Sequence, residues 1–215
     1  MGAADRSSHI VDSTGLRKFD ELMNGEERGI PVIDGSIDYK EFLDDFLRPL
    51  KPCLITGLTQ DWPAAREWVT KDSSSDDLSP DYETLKTTFG QYTGCITFCG
   101  QKDRNEETIQ KEMTVAEFID SISSSKSEKR YLKDFHFMRV NPSLPKPYTV
   151  PKFFEGITFI TIKAYLDDWF NNFAFANDRD DFRFLYLGED GSFTPLHHDV
   201  NMSHSWSTSL CGISS

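Results

Sequence analysis

The chain has 215 residues, enough for one domain of roughly 200 residues or one domain with a helical flank. Its 23 Lys and Arg against 35 Asp and Glu give a formal charge of −12, which disfavours phosphate backbones and anionic lipid as partners. Seventeen Phe, seven Tyr and four Trp supply large side chains for a core, which argues against wholesale disorder.

The N-terminal stretch Met1–Ile10 is polar, with no apolar run to suggest a signal peptide, and Arg6 stands where myristoylation favours Ser or Thr. No segment approaches the ~18 apolar residues of a membrane span. The sequon Asn201-Met202-Ser203 is therefore expected to be idle. Asp38 and Glu41 form a capping box with Ile37 and Phe42 as its staple, and Tyr39, Phe42, Leu43, Phe46 and Leu47 then keep one apolar face at helical spacing. Pro52–Gly57 reads as a short strand ending in a glycine turn, and Asp61–Trp68 as a helix with Pro63 near its first position. Ser79-Pro80 is expected to open a helix carrying Tyr82, Leu85 and Phe89, followed by a strand over Cys95–Cys99. Thr114 and Glu117 repeat the capping box, with Met113 and Phe118 as staple and Val115, Phe118, Ile119 and Ile122 as the buried stripe. The Ser- and Asp-rich stretches Lys71–Ser79 and Ser121–Ser127 read as solvated connectors.

Strand signals dominate afterwards, over Tyr131–Met138, Phe182–Gly188, Thr194–Val200 and Ser205–Cys211, with a hairpin turn at Glu189-Asp190-Gly191. Helices first and strands later predict an α+β fold whose core is mainly β, a sheet or barrel with an N-terminal helical flank. The expected division is a tail and helix over 1–29, an α/β flank over 30–130 and a β core over 131–215.

Cys53, Cys95, Cys99 and Cys211 include no Cys-x-x-Cys pair and have no His at zinc spacing. They are expected to be buried, reduced thiols, which points to cytoplasm or nucleus.

The chemistry concentrates in Phe193-Thr-Pro-Leu-His-His-Asp-Val200. On a strand His197 and Asp199 point to one side and His198 to the other. An imidazole and a carboxylate side by side are two arms of the 2-His-1-carboxylate triad that binds Fe(II), although His-x-Asp alone is a weak signal.

The context adds more. Gly188-Glu-Asp-Gly-Ser-Phe-Thr-Pro-Leu-His-His-Asp199 resembles the segment that enters the iron site of JmjC-domain Fe(II)/2-oxoglutarate oxygenases. Pro52–Ala65 with Trp68, Met113–Ile122 and Arg130–His136 resemble three earlier segments of that family in the same order. Asp168-Trp-Phe-Asn171 and Ser205–Gly212 are most similar to its JmjC-domain-containing protein 4 branch, a lysyl-hydroxylase type linked to a translation termination factor.

The resemblance implies a cupin double-stranded β-helix, or jelly roll, of which this chain holds the early strands. It implies Fe(II) as cofactor, 2-oxoglutarate as co-substrate and a lysine-containing protein as substrate, with no direct nucleic-acid or membrane partner. It makes His197 and Asp199 the first two iron ligands, and Thr194 and Tyr131 the hydroxyls on the distal carboxylate of 2-oxoglutarate. Each such hydrogen bond contributes ~1.5–3 kcal/mol. The plainer readings remain a core tyrosine at 131 and a turn residue at 194.

The chain also departs from the family. The second His ligand is expected beyond Gly212, and Ser214 stands where a Gly-x-Lys lysine pairs with the co-substrate. His136 reads as structural, His204 as a turn residue and His9 as part of a tail. Gly156–Tyr165 reads as an insertion, with Ile157–Ile162 an uncharged window of high β-propensity. The 215-residue chain is therefore expected to lack turnover and to aggregate or fold only partly. Histone demethylation and a non-catalytic protein-binding fragment stand as the rival functions.

Overall fold

The structure is a computed structural model that describes residues 29–71, 78–122, 129–154, 171, 173, 174, 177, 181–195, 197–199 and 203–212. The Gly156–Tyr165 insertion and the cores of the two Ser-rich connectors lie outside these residues. Contacts divide the chain into two compact units, one within 1–59 together with 212–215 and one within 60–211.

In the first unit, β1 (Val32–Asp34) pairs in parallel with β2 (Leu54–Thr56). Between them α1 (Tyr39–Phe42) runs on into a π-helical turn over Leu43–Leu47. Asp38 caps α1 by accepting from the Lys40 amide at 2.8 Å, and Phe42 and Phe46 are the buried members of the expected apolar face.

In the second unit, Trp62 precedes α2 (Pro63–Glu67), which leads into an antiparallel pair of β3 (Val69–Lys71) and β4 (Leu78–Pro80). The helix expected from Ser79-Pro80 opens later, as α3 (Tyr82–Phe89), because those two residues belong to β4. The cap is Asp81, whose carboxylate accepts from the Thr84 amide at 3.0 Å and the Thr84 hydroxyl at 2.9 Å.

A long β5 (Thr93–Lys102) then turns into β6 (Thr108–Thr114), which the sequence pattern does not announce. The predicted capping box at α4 (Val115–Ile122) closes reciprocally. Glu117 accepts from the Thr114 amide at 2.8 Å, and the Thr114 hydroxyl accepts from the Glu117 amide at 3.2 Å.

The strand expected over Tyr131–Met138 is β7 (Lys129–Phe135) followed by a short α5 (Phe137–Val140), and Phe182–Gly188 forms β8 only over Leu185–Gly188. The four strands β6-β5-β7-β8 make one antiparallel sheet. One face carries Ile96, Phe98, Leu132, Phe135 and Leu187 into a core shared with Leu85, Phe89, Val115, Phe118 and Ile119 of α3 and α4. Trp68, Phe89, Phe135 and Phe137 meet there edge to face, a favoured aromatic arrangement.

The architecture is the α+β, mainly-β partial jelly roll, without a closed barrel among the described residues. Thr194–Val200 and Ser205–Cys211, expected as strands, join no ladder among the described residues. A segment becomes a strand only when a neighbour takes up its amides and carbonyls, and among the described residues no such neighbour is paired with them. The four thiols are free but only half-buried, shallower than expected. Burial still raises the thiol pKa of Cys95 and Cys211.

Candidate functional site

The other face of the sheet carries the candidate residues. Along β7 the buried side chains are Arg130 and Leu132, so Tyr131 projects to the opposite side. Its cross-strand partner is Gly188, and a Cβ there would stand 2.9 Å from the Tyr131 ring and 2.0 Å from Ser192 Oγ. Glycine at 188 lets the ring and the following turn lie close. That turn is the predicted one. The Ser192 amide donates to the Glu189 carbonyl at 2.9 Å, and Gly191 takes the positive φ of +78° that a type II turn asks of its third residue.

Past the turn the chain runs back over the sheet, with the Cys99 thiol 3.6 Å from the Phe193 carbonyl. One residue on, the Thr194 hydroxyl is hydrogen-bonded to that of Tyr131. Burial raises the pKa of Tyr131, and the bond to Thr194 opposes that shift. The two hydroxyls named from the sequence, 63 residues apart, therefore meet.

His197 and Asp199 also meet, with Nε2 and Oδ1 3.4 Å apart. The His197 Nδ1–H donates to the Pro195 carbonyl at 2.9 Å, which orients the ring with Nε2 toward Asp199. The other oxygen of Asp199 accepts from the Ser205 hydroxyl at 2.5 Å. Nε2 and a carboxylate oxygen thus face each other, and each residue is held by a partner on its far side. A cation suits such a pair, so both residues fit as metal donors. His198 is exposed and takes no part in the ion pair. Among the described residues no three His, Cys, Asp or Glu side chains gather closely enough to hold a metal.

Tyr186 links the two pairs. Its ring lies 5.9 Å from that of Tyr131, its hydroxyl donates to Asp134 at 2.7 Å, and the charge of Asp199 reaches it. His136 stands in a different network. Its Nδ1 is 3.0 Å from Oδ1 of the buried Asp181, whose other oxygen accepts from Arg183 at 2.6 Å and 2.8 Å.

The sequence reading missed Ser205, Tyr186 and Asp134. Ser205 has no signal, because its partner lies six residues away, at neither a helical nor a strand spacing. Tyr186 alternates with Phe184 on its strand, so its facing was legible but its partner was not. Ser205 is followed by Trp206, which stacks on Phe154 at 5.2 Å and meets Trp62 and Tyr148 edge-on at 6.2 Å and 6.1 Å.

Against known proteins, the family described as "Cupin-like domain" matches residues 39–213. The chain is 33% identical to the human 2-oxoglutarate and iron-dependent oxygenase JMJD4 over 186 residues, 83% of this chain and 40% of that protein. It is also 33% identical to the arginine-specific demethylase JMJ20 of Arabidopsis thaliana over 208 residues, 89% of this chain and 40% of that protein. To the JmjC domain-containing protein 1 of Schizosaccharomyces pombe it is 27% identical over 263 aligned positions, 91% of this chain and 53% of that protein. The chain spans about 40% of the length of the first two relatives. With the partial jelly roll and the matched span together, the chain belongs to the cupin-like JmjC family.

Proposed function

We propose that this chain carries the early part of an Fe(II)- and 2-oxoglutarate-dependent oxygenase site that hydroxylates a protein side chain, lysine being the favoured target. The observation that supports it most is the pairing of His197 Nε2 with Asp199 Oδ1 at 3.4 Å, three residues past the Thr194 that bonds Tyr131. His197 and Asp199 would hold Fe(II), and Tyr131 and Thr194 would take the distal carboxylate of 2-oxoglutarate. When bound, iron supplies the redox chemistry that couples consumption of dioxygen and 2-oxoglutarate to oxidation of a substrate C–H bond. The residues themselves do simpler work. Pro195 and Ser205 orient the two donors, Gly188 and the Gly191 turn bring Thr194 onto Tyr131, and the rings of Tyr131, Tyr186 and Phe184 pack beside one another.

The lysine preference rests on the likeness to the JMJD4 branch. A related Caenorhabditis briggsae protein, 28% identical, is named a bifunctional arginine demethylase and lysyl-hydroxylase. The arginine demethylase name of the Arabidopsis relative favours a second reading, oxidation of an N-methyl group by the same site. Cytoplasm, nucleus or both are the proposed location.

With two donors and no third among the described residues, the 215-residue chain alone is proposed to be without turnover. The test supplies Fe(II), ascorbate and 2-oxoglutarate to this chain and to one extended through the remaining length of its relatives. Succinate is expected only from the extended chain and only with His197 intact. Peptide mass spectrometry then separates gain of one oxygen on lysine from loss of methyl on arginine. Succinate from the short chain above its His197→Ala control contradicts the proposed inactivity. An extended chain that binds neither iron nor 2-oxoglutarate favours a protein-binding fragment.

A further inference from the structure

β6 is an outer strand of the sheet and, among the described residues, pairs only with β5. An outer strand offers a row of amides and carbonyls that another strand can join. Lys111 stands at the middle of β6, opposite the fully buried Ile96, so it lies on the core face between Ile109 and Met113, both packed against the core. An apolar residue there would carry the row of Ile109 and Met113 unbroken along the edge. Lys111 interrupts it. The residue is exposed, and its ammonium lies 4.9 Å from the centre of the buried Phe98 ring, so the charge stays in water while the stem covers apolar surface. The opposite outer strand, β8, has no charged residue over Leu185–Gly188.

We propose that Lys111 closes the β6 edge to strand addition by a second copy of this chain. The sequence of β6 itself carries the argument. Two copies meeting antiparallel along β6, with both cores on one side of the joined sheet, centre on Gln110, Lys111 or Glu112. Centred on Gln110, each Lys111 lies against the other copy's Ile109, and an ammonium covered by an apolar side chain loses its water. Centred on Lys111, two ammonium groups stand directly opposite each other, which destabilises a strand pair. Centred on Glu112, two carboxylates do so, and each Lys111 lies against Met113. Lys111→Val removes the obstacle in the middle register, which then sets Ile109 against Met113 on the core face and Gln110 against Glu112 on the other.

The test compares Lys111→Val with Lys102→Val in the full 215-residue chain. Lys102 is exposed at the end of β5 and pairs with Glu106, so both variants lose one positive charge and long-range repulsion is matched. Sedimentation velocity is expected to show Lys111→Val associating at about tenfold lower concentration than Lys102→Val. Hydrogen exchange should slow at the β6 amides turned away from β5, in the Lys111→Val chain alone. Lys111→Arg, which keeps the charge, should behave as the parent does. Circular dichroism checks that each variant is folded, and Lys111→Thr replaces the valine variant if that one is not. Association of Lys111→Val no stronger than that of Lys102→Val overturns the proposal. So does stronger association in which the outward β6 amides still exchange fast, because the copies then meet elsewhere.

Discussion

The Tyr186 hydroxyl donates to Asp134 at 2.7 Å across the β7–β8 pair, and Asp134 sits at φ +52°. Pairing slips here from Leu132 opposite Leu187 to Phe135 opposite Leu185, so three steps on β7 face two on β8. That is a β-bulge, with Asp134 in the left-handed conformation that aspartate tolerates better than most residues. The bulge returns Phe135 to the core after Leu132 and turns Asp134 out to Tyr186.

Tyr186→Phe should therefore destabilise the fold by about 1 kcal/mol, the lower end for a bond to a charged group because the ring is partly exposed. Burial, then the Asp134 bond, raise the Tyr186 pKa. A raised phenol pKa contributes stability that is complete below the unfolded value of about 10 and is lost as pH rises through the folded value. Urea melts of parent and Tyr186→Phe from neutral to alkaline pH should converge; a constant gap would count against the bond.

Metal binding should separate the two adjacent histidines. With Mn(II) as a redox-silent probe in an extended chain, His197→Ala is expected to abolish binding and His198→Ala to leave it within about twofold. Ser205→Ala, which frees the outer oxygen of Asp199, should cost about tenfold. Equal losses at His197 and His198 would remove the basis for assigning the donors.

The reciprocal cap of α4 offers a test remote from the site. Thr114→Ala should lower stability by about 1 kcal/mol. The Thr114 backbone and side-chain hydrogen bonds lower the Glu117 pKa. Its contribution is present above the unfolded carboxylate pKa and is lost as pH falls through the folded one. Glu117→Gln should flatten that acid limb in chemical melts while leaving the alkaline limb alone.

Self-association is the last expectation. The outer edge of β8 pairs with no strand among the described residues, and Tyr186, Phe193 and Trp206 are exposed nearby. Unpaired strand edges beside aromatic surface favour edge-to-edge contact. The charge of −12 opposes it only within about 8 Å at physiological salt. Light scattering of the 215-residue chain should show oligomers whose size grows with concentration. A monodisperse monomer with one cooperative melting transition would contradict this.

Legibility from sequence followed the range of the forces involved. The α4 cap was readable because Thr114 and Glu117 act across one helical turn. The His197–Asp199 pairing was readable because residues two apart need only local backbone to meet. Helix and strand ends were read less well. Ser79-Pro80 looks locally like a helix start because its partner Val69–Thr70 lies across a connector, and the β7 alternation runs on in pattern past Phe135, where α5 follows. The bulge at Asp134 and the Ser205 bond depend on what folds against them, which local pattern does not encode.

Ser205 steadies Asp199, and the next residue, Trp206, is held by aromatic rings alone in the contacts seen here: Phe154, Trp62 and Tyr148. The two neighbours therefore share one mechanical fate. Anything that orders the metal donors should also restrict the indole, and loosening the indole should blur the donors. Trp206 is in this sense an optical gauge wired to the site. Its fluorescence should shift on metal binding without any added label, and replacing Phe154 should make that signal and the affinity fall together.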